Sequence, residues 1–157
     1  MIERMLARWL EQDYFAQPPP KSTGREQFGE PFFQRERPRL ERAGATADDV
    51  LATLTEFTAA SVARNYELHL PGPAERVILH GGGAANAFLL ERLGVHLRRA
   101  SPTLTLTTCR EYGWPLQSVE PAAFALLAWK RLCGEPGNLP STTGATRVAL
   151  LGQVARP

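Results

Sequence analysis

Apolar residues recur at helical spacing at the start of the chain and again in a longer central segment. The first set predicts an amphipathic helix that ends before the prolines at 18–20, and it consists of Ile2, Met5, Leu6, Trp9 and Leu10. Thr46, with Asp49 three residues later, has the form of a capping box. After it, one stripe runs to about Leu70 and consists of Val50, Leu54, Phe57, Ser61 and Val62. Two helices are therefore predicted.

Between these helices, residues 18–44 are polar and are predicted to be an extended loop. Phe28, Phe32 and Phe33 form an aromatic island that we expect to hold this loop to the body of the protein. The same stretch carries arginines at 35, 37, 39 and 42, which could form an anion patch. They alternate with glutamates at 36 and 41, and this alternation favours a solvated face.

The pattern changes at residues 76–80, a short and mostly apolar run typical of a strand buried on both faces. Gly81, Gly82 and Gly83 follow at once. Asn86 is then placed to cap a helix whose apolar positions are Phe88, Leu89, Leu90, Leu93 and Leu97. The segment is predicted to be a strand, a glycine turn and a helix in succession.

The remaining segment alternates further strands and helices. Residues 103–107 predict a second strand, and a helix is expected from Ser118, through Pro121 in its first turn, to Leu132, with Gly134 ending it. After a loop at 135–146, residues 147–154 predict a last strand. This order predicts an α/β domain with a partly parallel sheet, in which residues 1–45 form a helix and an extended segment and residues 46–157 form the core.

Composition narrows the classes of protein. The chain has 157 residues, the length of one domain. Its 18 basic and 16 acidic side chains give a net charge of only +2, which does not supply the broad cationic face that nucleic acids require. No stretch approaches the ~20 apolar residues of a membrane span. Cys109 and Cys133 have neither metal-ligand nor disulfide-framework spacing. We expect a cytoplasmic protein without a nucleic-acid or membrane partner.

The glycine triplet and Glu120 are the candidates for chemistry. Glycines between a strand and a helix let backbone N–H groups approach a nucleotide closely, but they also make tight turns with no ligand at all. The segment is not a dinucleotide-binding fingerprint, because the third glycine is missing at the required offset. Glu120, in a first helical turn, either favours the helix dipole or accepts hydrogen bonds from sugar hydroxyls. The histidines at 69, 80 and 96 lack zinc-site spacing.

Four segments together resemble the anhydro-N-acetylmuramic acid kinases. They are PPPKSTGREQF at 18–28, VILHGGGAANAFLLERL at 77–93, YGWPLQSVEPAAFALLAWKRL at 112–132 and GNLPSTTGA at 137–145. Their order and spacing match the family as well, and the KSTGRE and GNLPSTTGA segments are specific to it. The resemblance covers nearly the whole chain.

The resemblance implies one lobe of an actin-like ATPase fold, in which two lobes close over a cleft. It implies ATP and Mg²⁺ as cofactors and 1,6-anhydro-N-acetylmuramic acid as the sugar, converted to N-acetylmuramic acid 6-phosphate in peptidoglycan recycling. By matching position, it implicates Gly81, Gly82, Gly83 and Asn86 in nucleotide binding and Glu120 in sugar binding. The resemblance implies no metal ligand in this chain.

The sequence departs from the family pattern in ways that change the predicted function. The sequence contains neither the family's phosphate-holding loop nor its DTGP-like segment, whose aspartate activates the attacking water. Pro121 and His80 also stand where the family has smaller residues. We therefore expect a C-terminal half-enzyme that is inactive without an N-terminal lobe. The alternative is a non-catalytic binding module of the same fold, and a homodimer is left open. An independent enzyme would need an acid–base constellation that the sequence does not show.

Overall fold

The computed structural model describes residues 1–155, which divide into two compact units. The first unit comprises residues 1–77 and 86–106. It contains the helices α1 (Glu3–Leu10), α2 (Asp13–Ala16), α3 (Arg25–Phe28), α4 (Glu30–Arg42), α5 (Ala47–His69) and α6 (Ala87–Ala100). The second unit comprises residues 78–85 and the chain from 107 onward. Its helices are α7 (Val119–Leu132) and α8 (Pro140–Thr143), with 3₁₀ turns at Gly82–Ala85 and Cys109–Tyr112.

An aromatic cluster forms the core of the first unit. Trp9 is 1% exposed and packs edge-on against Phe32 and Phe57, with ring centroids 5.2 and 5.5 Å away. Phe32 and Phe57 stack on each other at 5.7 Å. The indole N–H of Trp9 donates to the buried carboxylate of Glu36 at 3.2 Å, which satisfies both polar groups inside an apolar cluster.

The predicted loop at 18–44 is wrong from residue 25 onward, where α3 and α4 form. Phe32, Glu36 and Leu40 recur every fourth residue, and this spacing places all three on the buried face of α4. Pro31 lies in the first turn, where its missing N–H costs nothing, whereas Pro38 lies inside the helix. The aromatic island does hold the segment to the core, since Phe28 and Phe33 pack partly buried around Phe32.

The capping box that begins α5 is confirmed. The Thr46 hydroxyl accepts from the backbone N–H of Asp49 at 3.1 Å, and the Asp49 carboxylate accepts from the N–H of Thr46 at 3.2 Å. The buried face of the helix differs from the predicted stripe, which had Ser61 and Val62 on it. Apart from Phe57, the buried residues are small or polar: Thr53, Glu56, Ala59, Ala60 and Ala63.

Small residues allow α6 to pack closely on α5, and a buried charge cluster fixes the pair. Glu56 of α5 receives two hydrogen bonds from the guanidinium of Arg92, and His96 Nε2 lies 2.8 Å from its Oε1. Arg92 and His96 are four residues apart and so share one face of α6. We call these three residues the α5–α6 clamp.

The sheet is small and parallel, with β1 (Arg76–Leu79) beside β2 (Thr105–Thr108). The second strand is confirmed, although it begins two residues later than predicted. Burial of β1 on both faces is wrong, because Val77 is buried whereas Ile78 is 48% exposed. The strand predicted at 147–154 is also wrong. That segment is irregular. The carbonyl of Ala149 accepts from the N–H of Gly137, and the N–H of Ala149 donates to the side-chain oxygen of Asn138, whose amide nitrogen donates to the carbonyl of Arg147.

The second unit has a small core of its own, formed by Ala84, Cys109 and Leu116 with Leu79 and Val119 packed around them. The predicted helix at 118–132 is confirmed as α7, which begins at Val119 after Ser118. Gly134 follows α7 with φ +72°, a left-handed conformation suited to glycine at a helix end. Within residues 1–155, no helix is both long and apolar enough to cross a membrane.

Candidate functional site

The glycine turn, Gly81 to Gly83, follows the end of β1, and its second and third glycines begin the 3₁₀ turn Gly82–Ala85. Gly81 has φ +81°, a left-handed conformation that residues with a Cβ rarely adopt. Its N–H donates to the carbonyl of Leu116 at 2.7 Å, and its carbonyl accepts from Ala84 at 3.2 Å. Ala84 is buried in the core of the second unit. These contacts hold the turn against the loop at 113–118, which leads into α7.

The turn leaves open space where side chains would otherwise stand. A Cβ built on Gly81 meets no atom within 4 Å, and one built on Gly82 meets only Nε2 of Gln117, at 3.5 Å. Gly82 and Gly83 are both exposed. A cradle of exposed backbone without Cβ atoms fits the close approach of a nucleotide, which was the functional interpretation of the triplet.

Gln117 is a residue of this site that sequence reasoning missed. Its side chain lies over Gly82, is exposed, and makes no hydrogen bond within the part of the chain that the structure describes. The amide therefore has donors and an acceptor available at the glycine turn. The loop in which Gln117 lies was visible in the sequence, but the approach of this loop to the turn depends on the bond between Gly81 and Leu116.

Asn86 belongs to the first unit and caps α6 as predicted. Its side-chain oxygen accepts from the backbone N–H of Leu89 at 3.1 Å. This bond gives Asn86 a structural role that is independent of any ligand. Its side-chain nitrogen has no hydrogen-bond partner among residues 1–155.

Glu120 lies in the first turn of α7, as predicted, and its side chain is exposed. It forms no ion pair or hydrogen bond with the described residues. Ser118 does not cap the helix with its side chain and instead donates to the carbonyl of Pro115 at 2.8 Å. The first-turn N–H groups and the Glu120 carboxylate are thus both free to meet a ligand.

The histidines form no metal site in the described residues. His96 belongs to the α5–α6 clamp, and His69 Nε2 lies 3.3 Å from the amine of Lys21. His80 is an exposed residue directly after β1. Among residues 1–155, no group of three or more His, Cys, Asp and Glu side chains could hold a metal ion. Mg²⁺ in kinase sites is held largely by substrate phosphates with one or two carboxylates, and we assign no Mg²⁺ ligand among the described residues.

The KSTGRE segment, which carries much of the family resemblance, has a structural role in this chain. The amine of Lys21 donates to the carbonyls of Tyr14 and Phe15 at 3.0 and 3.3 Å and lies 5.0 Å from the centre of the Tyr14 ring. Thr23 donates to the side chain of Gln27 at 2.9 Å. These contacts fix the segment onto α2 and the start of α3.

Three of the four arginines on α4 pair with glutamates. Arg37 pairs with Glu41 at 2.8 Å, and Arg35 and Arg39 lie 3.3 and 3.7 Å from Glu36. These pairs agree with the solvated face that the alternation favoured, except that Glu36 itself is buried.

The described elements define an α/β protein in which helices flank a small parallel sheet. Over residues 1–157 the sequence matches the family model described as Anhydro-N-acetylmuramic acid kinase, and the chain belongs to that family.

Named relatives agree with this family. The chain is 49% identical over 155 residues to an anhydro-N-acetylmuramic acid kinase from Synechococcus elongatus, an alignment that covers 98% of this chain and 39% of the relative. It is 41% identical to relatives of the same description from Crocosphaera subtropica and Trichormus variabilis, covering 98% and 96% of this chain and 40% and 37% of the relatives. The chain therefore spans about two fifths of the length of the curated relatives it matches.

Proposed function

We propose that this chain is the C-terminal, nucleotide-side lobe of an ATP-dependent kinase with an actin-like fold. The reaction adds water across the 1,6-anhydro bond of 1,6-anhydro-N-acetylmuramic acid and transfers the γ-phosphoryl group of ATP to O6. The products are N-acetylmuramic acid 6-phosphate and ADP, in the cytoplasmic recycling of peptidoglycan amino sugars. Membership of the kinase family supports this assignment.

The glycine turn is the single observation that carries the nucleotide-binding part of the proposal. Gly82 and Gly83 offer exposed backbone without Cβ atoms, and the bond from the half-buried Gly81 to Leu116 holds that backbone in place. A preorganised cradle loses little freedom when a ligand binds, which favours affinity. The family resemblance assigns Asn86, at the start of α6, to nucleotide binding as well.

Glu120 is assigned to the sugar. Its exposed carboxylate can accept hydrogen bonds from sugar hydroxyls, and it has no competing partner among residues 1–155. The general base and the loop that grips the phosphates have no counterpart in the 157 residues and would come from the rest of the family's polypeptide. Phosphoryl transfer depends mostly on positioning and charge stabilisation, so this chain alone should not turn over substrate.

A chimera provides the test. Residues 1–157 replace the matched segment of the Synechococcus elongatus relative, and ATP binding is measured by calorimetry. Gly82→Val fills the cradle without backbone strain, because Gly82 lacks a positive φ and its only near neighbour is a flexible side-chain tip. We expect ATP binding at least about tenfold weaker, a loss of roughly 1.4 kcal/mol.

Gly72→Val is the matched control, because Gly72 also has open space around its Cβ position and no positive φ. It should leave ATP binding unchanged. Equal binding by the Gly82→Val chimera and the parent chimera would remove the nucleotide from the glycine turn.

A further inference from the structure

Helix α7 differs sharply from α6, although both have fourteen residues. The sequence of α6 buries Leu93 and Leu97 against α5, whereas α7 buries none of its residues. Four large apolar side chains of α7 are exposed by half or more, and they are Phe124, Leu126, Trp129 and Leu132. A helix that is apolar on all sides is normally an interior helix. The sequence of α7 is therefore that of a buried helix.

Only one side of α7 is covered within the second unit. Leu127 is part-buried, and it and Leu151 lie 3.2 and 3.4 Å from the Cβ position of Gly137. Asn138 holds this returning segment by donating to the carbonyl of Arg147 and accepting from the N–H of Ala149. The contact between the segment and α7 leaves an open groove of about 510 Å³, lined mainly by Phe124, Leu127, Ala128, Leu132, Leu151 and Val154.

Further large apolar side chains are exposed on the returning segment and on β1. Leu139, Val148, Leu150 and Val154 are all more than two fifths exposed. Ile78 of β1, in the same unit, is also exposed on a strand that the sequence predicts to be covered on both faces. Exposed apolar side chains gathered around a groove, as on α7, mark an interaction site, and Trp and other aromatic side chains dominate binding energy at such sites.

We infer that the α7 face, defined as Phe124, Trp129, Leu132 and the groove beside them, is the docking surface for the remainder of the family's polypeptide. About three fifths of the length of the Synechococcus elongatus relative lies outside its alignment with this chain. That remainder is large enough to cover the face. Its contacting surface must be apolar, because most of the groove lining carries no charge.

The inference deepens the proposed function by naming where the two parts of the kinase meet. It rests on that function only through family membership, because docking requires neither ATP nor sugar. Binding can therefore be measured separately from activity. Failure to bind would not contradict the proposed activity, and failure of the activity would not contradict the proposed docking surface.

The test uses residues 1–157 and, as a second polypeptide, the part of the Synechococcus elongatus relative that this chain does not match. The two are co-expressed with different tags, and their association is measured by pull-down and calorimetry without ATP. Leu132→Glu and Phe124→Glu should each weaken association by about 30-fold or more, the effect of losing a central contact. Leu51→Glu is the matched control, because Leu51 is 64% exposed on α5 of the other unit.

A stability comparison covers the case in which the second polypeptide does not fold alone. In the isolated chain, Phe124→Glu should leave the melting temperature unchanged, because Phe124 is already 66% exposed. In the chimera the same change should lower the melting temperature by several degrees. Equal association of all variants, equal loss with Leu51→Glu, or an unchanged chimera would overturn the inference. So would a dimer of this chain that Leu132→Glu dissolves while the second polypeptide fails to bind.

Discussion

Removing Glu56 should destabilise the first unit strongly, because this carboxylate holds the α5–α6 clamp together. The Glu56 side chain is 3% exposed, and its partners Arg92 and His96 are 24% and 10% exposed. Glu56→Ala leaves the guanidinium and the imidazole packed between two helices without their acceptor. An unpaired polar group in such a place loses both its hydrogen bonds and its access to water.

The magnitude follows from this burial. Breaking a buried ion pair by removing one partner costs about 3–5 kcal/mol. Arg92 can recover part of its hydration because a quarter of it is exposed, so we expect a loss near ~3 kcal/mol. Small domains are stable by only about 5–15 kcal/mol, and a urea slope of about 1–3 kcal/mol per M converts this loss into a midpoint roughly 1–3 M lower.

The assay is urea unfolding of the chain followed by circular dichroism, because α5 and α6 contribute much of the helical signal. Glu67→Ala is the control, since Glu67 is an exposed residue of α5, and its loss should stay within about 0.5 kcal/mol. If Glu56→Ala unfolds within 0.5 kcal/mol of the parent chain, the clamp does not stabilise the helix pair.

The other predictions concern the pH dependence, the helix cap and the candidate sugar contact. The hydrogen bonds from Arg92 hold the pKa of Glu56 below its ordinary value of 4.5, against the opposing effect of burial. Its contribution to stability should therefore be complete above pH 4.5 and lost as the pH falls through the lowered pKa, a loss that the Glu56→Gln variant should not show. The Thr46 hydroxyl is the main cause that lowers the pKa of Asp49 to about 2, so Thr46→Ala should raise that pKa toward 3.8 in an NMR titration. The same change should cost about 1 kcal/mol of unfolding free energy, and no cost would show that the cap is dispensable. Glu120→Gln in the chimera should lower turnover at least about tenfold while the melting temperature stays constant, because its carboxylate has no partner in residues 1–155.

Local signals in the sequence predicted α1, α5, α6 and α7, but they failed where contacts between distant residues determine the structure. The capping box at Thr46 and the asparagine cap at Asn86 depend on residues three positions apart, and both formed as predicted. Helix α4 was missed because its prolines and arginines, and the glycines at 29 and 44 that flank it, resemble a loop. The spacing of Phe32, Glu36 and Leu40 was the available signal, but it has a charged residue on the buried face.

The strand at 147–154 was predicted from an apolar run that has no partner strand among the described residues, and a strand requires its ladder bonds from a neighbour. The α5–α6 clamp could not be predicted either. It joins Glu56 to residues 36 and 40 positions later, and only the i, i+4 spacing of Arg92 and His96 hinted that the two act together.

The candidate site, like the fold, could be predicted only where it depends on local sequence. The position of the glycine turn after a strand follows from residue order, and the placement of Glu120 in a first helical turn follows from the local pattern. The approach of Gln117 to Gly82 does not, because it depends on how two separate loops meet. The roles of the glycines, Asn86 and Glu120 toward ligands remain predictions.

The most direct test of the proposed function is a coupled ADP-release assay with 1,6-anhydro-N-acetylmuramic acid, ATP and Mg²⁺. It is run on residues 1–157 alone, on the chimera, and on the chimera carrying Glu120→Ala to exclude a contaminating kinase. We expect sugar-dependent ADP release by the chimera, none above background by the chain alone, and a strong loss in the variant. Enzyme-like turnover by the chain alone, or a folded chimera that binds ATP but never phosphorylates the sugar, would contradict it.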